Sequence, residues 1–174
     1  PTAAVTVLWF PTGQGKSEAY LGLTGCALFY DRLRGKTRGP TMWARFPLRL
    51  LSLQQTQRQL DFVVSADAVR EHAAPRIRAA GGDLGDPFTI GFYVGEGNTP
   101  NSLGGDESLV RALIDDPERR RKVRVVDRCP YCRARTIEIA PPDPTELRLR
   151  HVCMSCHRDI PVVIVDTEIY RYLP

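Results

Sequence analysis

Phe10-Pro11-Thr12-Gly13-Gln14-Gly15-Lys16-Ser17 follows a short apolar run at residues 5–10 and precedes a stretch of helical periodicity. Strand, glycine turn and helix in that order are the setting of the phosphate-binding loop G-x-x-x-x-G-K-[ST]. The order limits the chain to an α/β fold, because residues 5–10 read as a buried parallel strand and the helix must start at the turn. Each retained position has a task. Gly13 and Gly15 let backbone N–H groups converge on phosphate oxygens with no Cβ in the way. Lys16 offers a charge to the β- and γ-phosphates, and Ser17 a hydroxyl to the magnesium ion bridging them. The helix start behind them turns its positive dipole end to the anion. The first motif position holds Phe10 in place of Gly, so the strict pattern fails there. Thr12, Gly13, Gln14, Gly15, Lys16 and Ser17 are the candidate nucleotide-binding residues for ATP. Lys16 and Ser17 are the candidate catalytic pair, and Ser17 is the candidate Mg2+ ligand.

The rest of the chain supplies partners for that strand and helix. Tyr20, Leu23, Ala27 and Tyr30 share one helical face, which ends at Arg34-Gly35, a basic last turn with a glycine stop. Cys26 lies on the same face and is expected to be a small buried hydrophobe. Residues 41–44 read as a second strand. Pro47 opens a long helix, where its missing N–H costs little, with Leu50, Leu53 and Leu60 on its apolar face. Helical composition resumes over 67–80, with a kink expected at Pro75 and a stop at Gly81-Gly82. Residues 88–94 read as a third strand, 95–101 as a loop, and 107–115 as a helix capped by Asp106. Beyond Pro117 the pattern shortens to β segments at 122–126, 136–140 and 146–152. A fully apolar strand follows at 160–165. Arg119-Arg120-Arg121-Lys122 is the densest charge run and reads as a solvated loop, with nucleic-acid phosphate as its alternative partner.

Four of the five cysteines form two C-x-x-C pairs, Cys129/Cys132 and Cys153/Cys156, separated by 20 residues. That is zinc-ribbon spacing: each pair makes a tight turn aiming two thiolates at one ion, and two turns complete a tetrahedral S4 site. The strands between them are too short to bury a useful core, so metal–thiolate bonds provide the folding energy. Four thiolates leave no open position, so the zinc is structural. His151 and His157, next to the second pair, are expected to stay outside the coordination sphere.

Bulk properties narrow the class. With 43% hydrophobic residues in 174, the chain can bury a real core. No run of roughly 18 apolar residues is present, so no membrane span is expected. The N-terminus lacks a basic-then-apolar secretory pattern. Together with cysteines spaced for metal, this makes a cytoplasmic location the expectation. A net charge of +4 suits a phosphate-rich partner, but many soluble domains share it.

Pro11-Thr12-Gly13-Gln14-Gly15-Lys16-Ser17, with Glu18-Ala19-Tyr20-Leu21-Gly22 after it, resembles motif I of superfamily 2 helicases. The stretch from Arg45 through Leu53 to Arg58 resembles their motif Ia and the helix behind it. Gly91-Phe92-Tyr93-Val94-Gly95-Glu96-Gly97-Asn98-Thr99-Pro100-Asn101 and the ending Glu168-Ile169-Tyr170-Arg171-Tyr172-Leu173-Pro174 extend the likeness. Within that superfamily they resemble the helicase subunit of the DISARM anti-phage system and its relatives, where the cysteine pairs fall between the last two stretches. The resemblance implies a RecA-like P-loop parallel sheet with helices on both faces and a small inserted β-rich zinc ribbon. It implies a nucleic-acid-dependent ATPase with ATP, Mg2+ and Zn2+ as cofactors. Arg45, Arg49, Gln55 and Arg58 would touch the nucleic-acid backbone, DNA in preference to RNA. The remaining helicase lobes and a defence complex would be its partners.

The expected division is a partial nucleotide-binding lobe at 1–122, the ribbon at 123–160 and a return strand at 161–174. Asp166 and Glu168 end the apolar strand but lack the Asp-Glu pair of motif II. The chain is therefore expected to stop before that motif, and alone to bind nucleotide weakly and hydrolyse little. Two other readings stay open: a P-loop nucleoside or nucleotide kinase with a zinc-bearing lid, and a non-catalytic zinc module that docks a partner or DNA.

Overall fold

The computed structural model describes residues 11, 15–45, 49–92, 113, 116–140 and 149–163, with backbone alone at 49–52. The expected strand at 5–10, Thr12, Gly13 and Gln14 of the loop, Pro47, the 95–101 loop and Asp166 lie outside these residues. So does the expected helix at 107–115, apart from Leu113.

Helix α1 spans Lys16–Leu33 and is preceded by Gly15 in the left-handed region, φ 81°. A glycine there lets the chain turn sharply and start a helix at once, and Ala19 N–H donates to the Gly15 carbonyl at 3.1 Å. The face that packs is not the expected one. Tyr20, Leu23 and Tyr30 are exposed, and so is Cys26, against its expected burial. Inward-facing positions are instead Gly25, Leu28, Phe29 and Arg32. A Cβ on Gly25 would lie 3.0 Å from the Phe62 ring, so the missing side chain lets the second helix approach.

That helix, α2, runs unbroken over Arg49–His72, joining two stretches that read separately in sequence. Val63, Ala66 and Phe88 pack with Leu28, Phe29 and Phe62 into one small core between α1 and α2. The break comes at Ala73, and the short α3, Ala74–Ala79, carries Pro75 in its first turn. Pro75 therefore starts a helix and does not kink one, since first-turn N–H groups need no helical partner.

Residues 41–44 are not a strand. The segment before them is drawn back onto α1, where the Asp31 carboxylate accepts from Lys36 Nζ at 2.9 Å and from the Thr41 hydroxyl at 2.7 Å. Arg32 then anchors the C-terminal end of α1. Its guanidinium donates to the carbonyls of Lys36 at 2.5 Å and Asp86 at 2.8 Å, and lies 4.9 Å from the Phe88 ring centre. Arg70 reaches the same ring and is held by Asp67 at 2.6 Å.

Of the expected strand at 88–94, the described part is paired at β1, Ile90–Gly91. The basic run is not a loop but a helix, α4, Pro117–Lys122. Asp116 caps it by accepting from the N–H groups of Glu118 and Arg119 at 2.9 and 3.2 Å. That cap and Pro117 explain why residues 122–126, expected as β, begin with the last turn of a helix. Three further strands, β2 (Ile137–Ile139), β3 (His151–Cys153) and β4 (Asp159–Ile160), form an antiparallel sheet in the order β2-β3-β4. The expected apolar strand at 160–165 is split at Pro161. Ile160 pairs with His151 in this sheet, whereas β5, Val162–Val163, pairs in parallel with β1. Pro161 has no N–H to give, but its carbonyl accepts from Ile90 N–H at 3.0 Å.

One core joins both sheets and α2. Leu60 is buried with Ile90, Phe92, Val126, Ile137, Leu149, Ile160 and Val162, and the cluster includes Cys129 and Cys153. The structure is a mixed helix-and-sheet fold with a small parallel pairing and a cysteine cluster. Among the described residues, no helix is long and apolar enough to cross a membrane.

Candidate metal centre

Two turns with the same backbone pattern bring the cysteines together. In the first, Arg133 N–H donates to the Cys129 carbonyl at 3.0 Å and Cys129 N–H to the Ala134 carbonyl at 2.8 Å. In the second, His157 N–H donates to the Cys153 carbonyl at 2.8 Å and Cys153 N–H to the Arg158 carbonyl at 3.0 Å. Closing each turn forces the residue after its second cysteine into the left-handed region, with φ 66° at Arg133 and 57° at His157. A glycine would be at ease there; a side chain is held at a cost of about 1 kcal/mol. The turns are tied together by Met154 N–H donating to the Thr136 carbonyl at 2.8 Å, and by the Thr136 and Ser155 hydroxyls 2.6 Å apart.

The four sulfurs lie within 4.8 Å of one another. Cys129 and Cys156 Sγ are 3.7 Å apart, and Cys132 and Cys153 Sγ 3.5 Å. A disulfide needs about 2.05 Å. A tetrahedral zinc with bonds of ~2.3 Å spaces its sulfurs by ~3.8 Å, which these separations approach. The electrostatics agree with that chemistry. Burial pushes the Cys129 thiol up to about 12. Burial also opposes ionisation of Cys153, but the N–H groups of Cys156 and Ser155 outweigh it and bring its thiol down to about 6. Thiols this close cannot all ionise alone; a divalent cation removes the conflict by taking all four as thiolates. Cys129, Cys132, Cys153 and Cys156 can hold a metal such as zinc.

The histidines nearby have other surroundings. His151 is fully buried, and its Nε2 accepts from Val125 N–H at 3.2 Å. Burial first, and Arg124 second, lower its imidazole to about 4. His157 is exposed at the turn.

The first turn is fixed to α2 by contacts that the sequence did not announce. Gln57 and the Arg128 backbone bond reciprocally: the side-chain amide donates to the Arg128 carbonyl at 3.0 Å, and Arg128 N–H donates to Gln57 Oε1 at 3.1 Å. Asp61, one helical turn on, accepts at Oδ2 from Arg128 at 2.6 Å and Arg133 at 2.7 Å. The available signal was an arginine on each side of Cys129-Pro130-Tyr131-Cys132 and an acid four residues after a glutamine on a helix. Residues so far apart cannot be matched from spacing alone.

The other candidate residues fall near the start of α1 and on α2. Lys16 and Ser17 are half-buried in the first turn of α1, directly after Gly15. Arg45 is exposed and Gln55 half-buried, while the Arg49 side chain is outside the described set. Arg58 is ion-paired with Glu18, which joins α2 to the first turn of α1.

No family model matches this chain. The chain is 32% identical, over 191 aligned positions, to DISARM protein DrmA of Bacillus paralicheniformis (strain ATCC 9945a / NCIMB 11709 / CD-2). The alignment takes in 98% of this chain and 16% of that relative's length. By sequence, the chain is homologous to a portion of DISARM protein DrmA.

Proposed function

We propose that the chain is the nucleotide-binding portion of a nucleic-acid-dependent ATPase of the helicase type, working in anti-phage defence as part of a longer protein. The observation that carries this reading is the homology to DISARM protein DrmA across nearly the whole chain. The motif I resemblance around Lys16 and the helix start immediately after Gly15 support it. In this reading residues 1–122 are a RecA-like lobe, 123–160 a zinc ribbon and 161–174 a return strand. Thr12, Gly13, Gln14 and Gly15 cradle the phosphates of ATP, Lys16 neutralises them, and the Ser17 hydroxyl holds Mg2+. Arg45, Arg49, Gln55 and Arg58 face a nucleic-acid backbone, with DNA the expected strand. The four cysteines hold Zn2+ structurally. Further lobes of the same protein and other defence subunits complete the assembly, in the cytoplasm.

The kinase alternative needs a lid that swings free of the phosphate loop. Fixing the first cysteine turn to α2 through Gln57 and Asp61 speaks against such a hinge. Titration of the chain with a fluorescent ATP analogue and Mg2+ tests the reading. Lys16→Ala should weaken binding at least ~10-fold, the size of one lost charge-assisted phosphate contact. Unchanged affinity would remove the phosphate loop, and with it the ATPase. Metal analysis of the same sample should find one zinc per chain.

A further inference from the structure

We infer that α2 belongs to the folding unit of the cysteine site, so that metal loading orders the middle of this helix through Gln57, Leu60 and Asp61. The inference extends the zinc and α2 roles proposed above and rests on them. Arg128 precedes Cys129 and Arg133 follows Cys132, so the two residues bracket the first turn. Both guanidiniums converge on one oxygen of Asp61, at 2.6 and 2.7 Å. The second Asp61 oxygen accepts from Gln57 Nε2 at 3.2 Å, and Gln57 also grips the Arg128 backbone from both sides. Beneath this polar clamp Leu60 is fully buried in the cluster that holds Cys129 and Cys153. Gln57, Leu60, Asp61 and Val64 are spaced i, i+3, i+4 and i+7, so a single face of α2 meets the cysteine unit.

The coupling follows from how a thiolate site folds. Metal binding supplies the folding free energy of turns that bury few apolar groups. Without it, the left-handed backbone at Arg133, φ 66°, is held by the turn's own hydrogen bonds and the Asp61 contact alone. As the turn opens, the two arginines and the Arg128 backbone leave the α2 side chains together. Linkage is reciprocal, so whatever holds α2 in place also strengthens metal retention. The opposite face of α2 carries Arg58 and Phe62, which touch α1 through Glu18 and Gly25. The cysteine site therefore positions the helix that the proposed function sets against nucleic acid.

Hydrogen–deuterium exchange on the 174-residue chain, zinc-loaded and chelated, tests this. Chelation should speed exchange over residues 53–64 by about tenfold or more, while α3 changes little. Asp61→Ala should retain zinc, exchange faster over 53–64 when loaded, and show a smaller zinc dependence there. Peptides over 129–134 should keep theirs, and Asp61→Glu should restore part of the protection. Should the alanine variant fail to fold, Arg133→Gly serves in its place: glycine suits φ 66°, so it removes the guanidinium and spares the turn. Exchange over 53–64 that is indifferent to chelation overturns the inference, as does a fully wild-type zinc dependence in both variants. Absence of nucleic-acid binding, with the exchange coupling intact, would instead overturn the proposed function.

Discussion

Leu60→Ala is the sharpest test of the shared core. Leu60 is 0% exposed at the centre of α2, and the residues buried around it come from β1, β5 and the three-stranded sheet. Removing most of its side chain loses the transfer free energy and leaves a void that those elements cannot close independently. Comparable substitutions cost 2.7–5 kcal/mol, and a fully enclosed site belongs in the middle of that range, at about 4 kcal/mol. With a urea dependence of about 2–3 kcal/mol per molar, the unfolding midpoint should fall by about 1.3–2 M. Two probes should be followed in parallel: far-UV circular dichroism for α2, and the thiolate absorption of a cobalt-substituted site for the cysteine unit. Both midpoints should move together. Val69→Ala on the same helix, where Val69 is 53% exposed, should cost less than about 0.5 kcal/mol. A loss below about 1 kcal/mol for Leu60→Ala, or a shift in one probe alone, would refute the single shared core.

Three further expectations concern stability. His151 is held at about 4, below its ordinary 6.5, so the unfolded chain takes up a proton that the folded chain refuses. Its contribution is complete above pH 6.5 and is lost as pH falls toward 4, about 3 kcal/mol in all; His151→Gln should flatten the corresponding slope of unfolding free energy against pH. His157→Gly relieves a left-handed φ of 57° and should be neutral or gain up to about 1 kcal/mol in thermal unfolding, whereas a clear loss would mean that the turn is not strained. Gly85→Ala places a Cβ 2.8 Å from both Arg32 Cζ and the Thr37 carbonyl, at φ +59°, and should cost about 2–3 kcal/mol. Gly35→Ala, at φ +77° in open space, should cost about 1 kcal/mol, and equal losses at the two sites would count against the Arg32 contact.

Local signals proved readable where the chain's own spacing carries the information. Two C-x-x-C pairs mean two turns that aim four thiols at one point, and the sulfurs do converge. A glycine turn before Lys16 means an immediate helix, and α1 begins at Lys16. Reading failed where tertiary partners decide. Tyr20, Leu23 and Tyr30 have the spacing of a buried face, yet α2 approaches α1 at Gly25, where the smallest side chain gives it room. Cys26 went with the wrong face for the same reason. The apolar run at 160–165 looked like one strand, because hydropathy does not show that Pro161 passes the chain between sheets. Asp116 was the overlooked local signal: an Asp-Pro start followed by Glu118 marks a helix N-terminus, and it turns the basic run into α4. Asp61 lay beyond sequence reasoning, since its two arginine partners are 67 and 72 residues away.

Helix α2 stands between the cysteine unit and α1 and contacts both. Helix α2 contacts α1 on one side through Arg58 with Glu18, two residues beyond Lys16, and through Phe62 against Gly25. On the other side it contacts the first cysteine turn through Gln57 and Asp61. Arg58 and Asp61 are three residues apart, less than one helical turn, so the two interfaces share a rigid segment of backbone. A displacement that this segment does not absorb passes to the other side or breaks the Arg58–Glu18 pair or the Asp61 pairs with Arg128 and Arg133. The Arg58–Glu18 pair is open to solvent, with side chains 47% and 63% exposed, and contributes little. Asp61 is 19% exposed, gathers two guanidiniums and has buried Leu60 beside it. Of the ion pairs, the one next to Lys16 is therefore the weaker, but the α1–α2 junction is also held by the apolar core of Val63, Ala66, Leu28, Phe29 and Phe62. In the proposed function the start of α1 meets the nucleotide phosphates, so the Arg58–Glu18 pair and the apolar core beside it link that site through α2 to the cysteine unit.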